Sequence, residues 1–480
     1  MKAAAWIAGV TAVLLLLFPA GSPNYDTIYS LVWGGEIASF ESPDKSAPLA
    51  PTPHPLQELF GVLVSPLGEG ASTAIMVVAY ASLGLIGYLV FRLGSTWFTR
   101  GIGILAALIV LTRAPYLSNG VRAYVDLPYI AICLGALLLE TRRPRAGWPV
   151  LALLAAAGLL RPEAWLFSLA YLAYLMFDWN PQGRGLRERL RFREEGRSQL
   201  PALGALAIAA PIGWALFDWA TTGSPTYSFT GTRETVEELE RETGPVDLVL
   251  YGPRRLGEVL QWPGIVGALA GIVLCLWLLR RRALTGVAAI VLALGAFAVL
   301  ACVGLAIIPR YTMLAAAILA IFAAAAMLGW QLLDPGDRRR RAWQIVAVVV
   351  ALMFVVWGPN QYDLLSRFES DLSNQNKIED DLEALADDGV FAEPLCGPIG
   401  VPNHRPVPRL AFWLDIEPSD VVSYGREGSP ERGYFVKPAS PDVIDNFLLD
   451  PNDPTDVDAP VPPGFRRVAA NDSWMVYRRC

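Results

Sequence analysis

The 480-residue chain is 54% hydrophobic and 18% charged, which is more apolar surface than a single soluble domain can bury without a lipid bilayer. From residue 359 onward there are 22 acidic and 11 basic residues, a net charge of −11; because the whole chain carries −6, residues 1–358 carry +5. No basic and aromatic run suggests nucleic-acid binding, and the five cysteines and two histidines lack the spacing of a zinc site.

Lysine and arginine concentrate in short gaps between long apolar runs, as they do in cytoplasmic loops of membrane proteins. The clusters are Lys2, Arg92 to Arg100, Arg142 to Arg145, Arg184 to Arg197, Arg280 to Arg282 and Arg338 to Arg341. The apolar runs are 3–20, 73–91, 101–112, 124–139, 148–160, 163–177, 200–217, 263–279, 284–308, 311–333 and 342–358. We therefore predict an α-helical polytopic membrane protein with about eleven transmembrane helices, a cytoplasmic N-terminus and an extracytosolic tail.

The first apolar run, residues 3–20, fits either a signal peptide or an uncleaved first helix, and the lack of a clear cleavage site favours the helix. The outward gap 21–72 has apolar residues at helical spacing in two places, Ile28 to Ile37 and Leu56 to Leu63, on either side of the proline-rich segment 48–55. We predict two interfacial amphipathic helices in this extracytosolic loop.

The tail, residues 359–480, predicts a small extracytosolic α/β domain, separate from the membrane domain 1–358. Its β-prone pieces are Arg409–Leu414, Tyr434–Val436 and Trp474–Tyr477, and its helical pieces are Ile378–Ala386 and Val443–Leu448. Two cysteines lie in this tail, Cys396 and Cys480, and they can pair as a disulfide if the tail is outside the cytoplasm.

Asp26 lies directly after the first apolar run and opens the first amphipathic helix. One interpretation is an N-cap, because aspartate accepts hydrogen bonds from the free N–H groups at a helix start. The other is a general base at the outer rim of the membrane. The residues alone leave both open.

The runs that end at Thr112 and begin at Leu127 are too short to span a bilayer, which places Asp126 and Arg122 below the outer surface. Intramembrane charges usually face a cavity, although Asp126 can also pair with Arg122 four residues earlier. The turn Arg161-Pro162-Glu163 must likewise sink into the outer leaflet, where its two charges can face a cavity or pair locally.

Arg310, next to Tyr311, lies between two long apolar runs without an acidic neighbour in sequence. An unpaired guanidinium there suits a phosphate, which arginine binds with two parallel hydrogen bonds. Snorkelling to lipid headgroups is the alternative. His54, within the proline-rich segment, either stabilises the loop or binds substrate.

The order of these features resembles the GT-C superfamily of integral membrane glycosyltransferases, which includes bacterial mannosyl- and arabinosyltransferases. The resemblance covers residues 1–358: an Asp-bearing outward loop after the first helix, a second Asp at the fourth crossing, an Arg-Pro-Glu turn and a late Arg-Tyr. It implies a polyprenyl-phosphate-linked sugar donor and transfer of a hexose or pentose outside the cytosol. The acceptor would be a glycan, lipid or protein.

By this resemblance Asp26 is the catalytic base, Asp126 is a second catalytic acidic residue, and Arg310 lies near the lipid phosphate. Thr27 follows Asp26, where some members carry a second acidic residue, and this leaves dependence on a divalent metal such as magnesium or manganese open. Two rival functions remain. One is a transporter or flippase for a lipid-linked saccharide, and the other is a non-catalytic membrane scaffold for cell-envelope assembly.

Overall fold

A computed structural model of the chain describes residues 2–18, 21–179, 190–192, 199–391, 395–449, 457 and 459–480. The α-helices within them are α1 Lys2–Leu17, α2 Tyr25–Ala38, α3 Pro55–Val64, α4 Gly70–Trp97, α5 Arg100–Leu111, α6 Ala114–Val121, α7 Asp126–Arg142, α8 Trp148–Gly158, α9 Glu163–Met176, α10 Leu200–Thr222, α11 Tyr227–Glu238, α12 Gly244–Leu278, α13 Arg280–Cys302, α14 Met313–Leu328, α15 Arg338–Asp387, α16 Val407–Leu414, α17 Tyr424–Glu427 and α18 Pro441–Val443, which continues as the π-helix Ile444–Leu448. The strands are β1 Phe177–Trp179, β2 Leu190–Phe192, β3 Ile399–Val401, β4 Val421–Ser423, β5 Gly433–Pro438, β6 Arg466–Ala470 and β7 Trp474–Arg479.

Each of the eleven apolar runs lies on a helix, namely α1, α4, α5, α7 to α10 and α12 to α15. Among the described residues, six helices are long and apolar enough to cross a membrane, and a seventh span results if α5 and α6, bent by 62°, count as one. α1, α8 and α9 are apolar but shorter, at 10–17 residues. The helices are therefore confirmed, whereas the number of eleven crossings stays a prediction.

α14 forms the centre of the membrane body, and every residue from Met313 to Ala326 is buried. α12 packs directly against it, because a Cβ atom added at Gly271 would lie only 2.0 Å from the carbonyl oxygen of Phe322. Small residues allow such close approach between helices in a membrane, where packing rather than exclusion of water drives association.

Two broken helices meet in this body. α5 and α6 are separated by the bend that follows Thr112, and α12 breaks at Gln261, whose φ of 62° is left-handed. The Arg113 guanidinium donates to the Gln261 side-chain oxygen at 2.6 Å. Each break leaves backbone polar groups without their helical hydrogen bonds, and such breaks are tolerated in a membrane only where they are buried in protein or line a water-filled cavity. The Arg113–Gln261 hydrogen bond joins the two breaks inside the protein.

The two helices predicted in the loop 21–72 are present as α2 and α3. Their interfacial position stays a prediction, and α2 buries the consecutive residues Thr27 to Gly34 rather than a single face. Asn24 caps α2, because its side chain accepts hydrogen bonds from the backbone N–H groups of Asp26 and Thr27. α3 begins with Pro55, whose fixed φ suits the first helical position. α2 and α3 pack tightly against each other where Gly34 and Gly61 meet.

The C-terminal unit, meaning the described residues after 359, contains a five-stranded sheet of order β4-β3-β5-β7-β6. β3 pairs in parallel with β4 and β5, while β7 is antiparallel to β5 and β6. The predicted strands Tyr434–Val436 and Trp474–Tyr477 are confirmed, as are the helical pieces Ile378–Ala386 and Val443–Leu448. α15 runs without interruption through Pro359 into this unit.

The predicted strand Arg409–Leu414 is wrong, because these residues belong to helix α16. Pro408 lies in the first turn, where proline is tolerated, and Val407, Leu410 and Ala411 bury one face at helical spacing. The predicted disulfide between Cys396 and Cys480 is confirmed, with a Cα–Cα distance of 5.7 Å.

The three segments predicted to share one side of the membrane do contact one another. The backbone N–H of Ser419 donates to Asp44 of the loop 21–72 at 2.7 Å. Arg426 pairs with Glu238 at the end of α11 at 3.4 Å. These contacts place the loop, α11 and the C-terminal unit on a common face of the membrane body.

Candidate active site

A cavity of about 1120 Å³ lies beneath this common face. Its lining comes from the start of α2, the loop ending at His54, the turn 161–163, helices α6, α9, α10 and α11, the segment 303–311 and the C-terminal unit. Among the predicted site residues, those that line it are Asp26, His54, Arg122, Arg161, Glu163, Arg310 and Tyr311. The folding of distant segments thus brings together seven of the eight side chains selected from the sequence.

Asp26 and Arg310 form an ion pair at the centre of this group. The Arg310 Nη1 atom donates to the Asp26 Oδ2 atom at 3.1 Å, and each side chain is 24% exposed. The N-cap interpretation of Asp26 is wrong, because Asn24 performs that role. The expectation of an unpaired Arg310 is also wrong, because its partner comes from 284 residues away in sequence.

Arg310 lies on a short 3-10 helix, Pro309–Thr312, immediately before α14. Its guanidinium carbon is 5.6 Å from the ring centres of both Tyr124 and Tyr311. Its Nε atom is buried and has no hydrogen-bond partner among the described residues. The guanidinium therefore retains a donor beyond the one used by Asp26.

Asp126, Arg161 and Glu163 form a second charged group. Arg161 donates to Glu163 Oε1 at 2.7 Å and through Nη1 to the Asp126 Oδ1 atom. The local Arg161–Glu163 pair is thus confirmed, whereas the alternative that Asp126 pairs with Arg122 is wrong. Arg161 is within 4.2 Å of the ring centre of Tyr311. Contrary to the prediction that Asp126 faces a cavity, its side chain is 1% exposed, pairs with Arg161 and lies outside the described cavity lining.

Arg122 ends α6, and its backbone carbonyl accepts hydrogen bonds from both the backbone and the side chain of Asn24. Thr27 donates to the next carbonyl, that of Ala123, at 2.8 Å. The end of α6 therefore fixes the start of α2, which carries Asp26. The arginine side chain lines the cavity instead of pairing with Asp126.

His54 is buried and meets the Trp214 ring edge-on, with 5.9 Å between ring centres. Burial, and next the positive charge of Arg161, lowers the pKa of His54 to about 3. The imidazole is therefore neutral at physiological pH and cannot act there as a cation. Trp214 in turn meets Trp165 edge-on at 5.7 Å, and all three rings line the cavity.

Several cavity residues escaped the sequence analysis, notably Glu379 on α15 and Arg409 on α16. Arg409 pairs with Glu379 at 2.7 Å and donates to the Pro23 carbonyl at 2.8 Å. Ser22 donates to the other Glu379 oxygen at 2.5 Å. The sequence signals these cavity residues only as charges within buried helical stretches. Their partners Ser22 and Pro23 lie 357 and 386 residues away in sequence.

No group of three or more His, Cys, Asp or Glu side chains within the described part of the chain could hold a metal ion. The carboxylates nearest the centre are already engaged by arginine, Asp26 by Arg310 and Glu163 by Arg161. The donor set does not fit a resident divalent ion, and no step below uses one.

No protein-family model and no curated protein matches the chain. Its structure is similar to ArnT from Cupriavidus metallidurans bound to undecaprenyl phosphate, with a TM-score of 0.56 at 13% identity over 98% of this chain and 97% of that one. The apo state of the same ArnT gives a TM-score of 0.53 at 14% identity over 99% and 98% of the two chains. The archaeal oligosaccharyltransferase AglB from Archaeoglobus fulgidus gives 0.48 at 12% identity, over 87% of this chain and 64% of that one.

The near-complete coverage of both chains shows that this chain has the same fold as that ArnT. The similarity extends over the C-terminal unit as well as the membrane helices. The resemblance drawn from short motifs is thereby confirmed as to the fold.

Proposed function

We propose that the protein is a membrane glycosyltransferase that moves a sugar from a polyprenyl-phosphate carrier to an acceptor hydroxyl outside the cytosol. The observation that carries this proposal is the Asp26–Arg310 pair within a large cavity at the polar face of a GT-C fold. A base for a hydroxyl and a cation for a phosphate lie 3.1 Å apart. The acceptor hydroxyl and the phosphate of the donor can therefore both be bound there.

In the proposed reaction the acceptor oxygen attacks the anomeric carbon while the bond from that carbon to the phosphate oxygen breaks. The hydroxyl proton passes to the Asp26 carboxylate, and polyprenyl phosphate leaves with the bonding electron pair. A single displacement inverts the anomeric configuration. General-base assistance of this kind contributes about 10²–10⁴ in rate.

Arg310 is proposed to hold the departing phosphate. Its buried Nε atom and its second terminal nitrogen can donate to phosphate oxygens while Nη1 remains near Asp26. A guanidinium stabilises charge that develops on the phosphate, and the low dielectric of a buried site strengthens this effect. Tyr124 and Tyr311 limit the directions in which the guanidinium can move.

The second charged group is proposed to position substrate rather than transfer protons. Asp126 is fully buried and engages Arg161, so it acts through that arginine. Arg161, Glu163 and the neutral His54 line the cavity and can contact the sugar. Arg122 is proposed to bind substrate from the side where α6 meets α2.

The orientation is part of the proposal. The loop 21–72, α11 and the C-terminal unit share one face, and the arginine clusters predict that the opposite face is cytoplasmic. Residues 1–358 would then form the catalytic membrane domain, and residues 359–480 an extracytosolic domain that helps to enclose the cavity. No nucleotide would be needed on that side.

The direct test measures binding of undecaprenyl phosphate to the purified protein. Arg310→Ala should weaken binding by about ten- to a hundredfold, the loss expected for charge-assisted hydrogen bonds, and Arg310→Lys should weaken it less. Arg254→Ala is the matched control, because Arg254 is exposed and pairs only with Glu258 among the contacts described. Equal affinity of all three variants and the parent would contradict the phosphate role.

A further inference from the structure

The residues that line the cavity include an apolar group and a polar group, and each group is called an end of the cavity. The first end is apolar, and its lining includes Leu166, Leu169, Val299, Leu300, Val303 and Leu305. The other end is polar and is built largely by the C-terminal unit, with Gln375, Asn376, Glu379, His404, Arg405 and Arg409. An apolar channel suits a polyprenyl chain, whereas a wall of amides and charges suits a polar ligand.

Contacts between neighbouring residues place the reacting pair between these ends. The apolar segment 303–308 leads directly to Arg310, which contacts Asp26 at 3.1 Å. Tyr25, next to Asp26, meets the His404 ring edge-on at 5.3 Å. Asp26 therefore faces two different environments, and a donor lipid at the apolar end leaves the polar end for the molecule that is deprotonated.

The polar end is organised around Glu379, which is 3% exposed. Arg409 and Ser22 engage its two oxygens at 2.7 and 2.5 Å, and the Gln375 amide donates to it at 3.4 Å. The positive charge of Arg409 is thus matched by a carboxylate. Gln375 is only half-buried and offers the remaining polar atoms of its amide to the cavity.

This arrangement is better suited to hydroxyl groups than to a phosphate. A carboxylate repels an anion, whereas a hydroxyl donates to a carboxylate and accepts from a guanidinium or an amide at the same time. Adjacent hydroxyls on a sugar ring present such donors and acceptors in pairs. An acyl chain, in contrast, can neither donate a hydrogen bond to these polar groups nor accept one from them.

We infer that the polar end is the acceptor subsite and that the acceptor is a saccharide whose hydroxyl groups bind at Glu379, Arg409 and Gln375. One of its hydroxyls would then project toward Asp26. The acceptor role of this site rests on the proposed function, whereas saccharide binding at the site can be tested independently.

The experiment measures binding of methyl glycosides of mannose, glucose, galactose and arabinose to the full-length protein by saturation-transfer NMR. At least one glycoside should bind, and Gln375→Ala and Glu379→Gln should each weaken it about tenfold, as expected when a buried hydrogen-bond partner is lost. Asn374→Ala and Asp380→Asn are matched controls, since both residues are exposed neighbours on α15 outside the described cavity lining, and both should bind like the parent. Gln375→Ala leaves the Glu379–Arg409 pair intact, so it still tests the site if the Glu379→Gln variant misfolds.

Glycoside binding that is unchanged in both cavity variants would overturn the inference, as would binding of only inorganic phosphate or only a serine-containing tripeptide. Absence of glycoside binding from a parent protein that binds undecaprenyl phosphate would also overturn it. Undecaprenyl phosphate should bind all five proteins equally, because it occupies the opposite end. If the parent fails to bind that lipid while the glycoside result holds, the proposed donor is wrong and the saccharide site stands.

Discussion

Asp26→Asn separates the two demands that a carboxylate at this position can meet. Asparagine cannot accept a proton at neutral pH, so the transfer rate should fall by about 10²–10⁴, equivalent to about 3–5 kcal/mol in activation free energy. The cost in folding stability should be much smaller. Asn24 already caps α2, so the variant loses only the partly exposed pair with Arg310 and a favourable helix-dipole interaction, about 1–2 kcal/mol together.

The assay follows transfer of labelled sugar from a panel of polyprenyl-phosphate sugars in membranes that contain each variant at equal abundance. Glu41→Gln is the control, because Glu41 is an exposed carboxylate in the same loop. Thermal unfolding of the purified proteins measures the loss of folding stability in each variant. Transfer by Asp26→Asn at the parental rate would show that no proton is taken by this residue, and it would remove the main support for an enzyme.

Three further predictions concern topology, the tail and pH. Cysteines introduced at Arg338–Arg341 should resist a membrane-impermeant thiol reagent on intact cells; labelling there would reverse the orientation. Replacing Cys396 and Cys480 by serine should lower the stability of the C-terminal unit by about 2–4 kcal/mol, since the disulfide closes a loop with a separation of 84 residues; an unchanged unfolding temperature would contradict this. Burial raises the pKa of Glu36 from 4.5 to about 7, so the folded protein holds this proton more tightly than the unfolded chain does. The melting temperature of the parent should therefore fall relative to that of Glu36→Gln as the pH rises from 5 to 8. Parallel curves of melting temperature against pH for the two proteins would contradict the shift.

The sequence was informative wherever local pattern decides structure. Long apolar runs gave helices, and apolar residues at helical spacing in the loop 21–72 gave α2 and α3 at the right places. The strand predicted at Arg409–Leu414 failed because eight helical residues make barely two turns, and so short an apolar pattern fits either structure.

The partners in the buried ion pairs could not be predicted from local sequence patterns. Asp126 was expected to face a cavity, with a pair to Arg122 as the alternative by the four-residue rule. That rule holds only within a continuous helix, and Asp126 begins a new one. Its true partner, Arg161, comes from the next pair of helices. Arg310 was expected to be unpaired for the same reason, because the partner is a tertiary neighbour and leaves no periodic trace.

The structure also bears on the choice between an enzyme and a transporter. A transporter must open its binding cavity to each side in turn, so a path has to form through the body beneath the site. Below Arg310 the chain enters α14, where every residue from Met313 to Ala326 is buried. Gly271 of α12 approaches the Phe322 backbone so closely that an added Cβ atom would lie 2.0 Å from its carbonyl oxygen. Opening this seam would separate α12 from α14, the pair of helices with the most extensive contact among the described residues. A cavity above so closely packed a pair of helices instead favours a reaction that takes place on one side of the membrane.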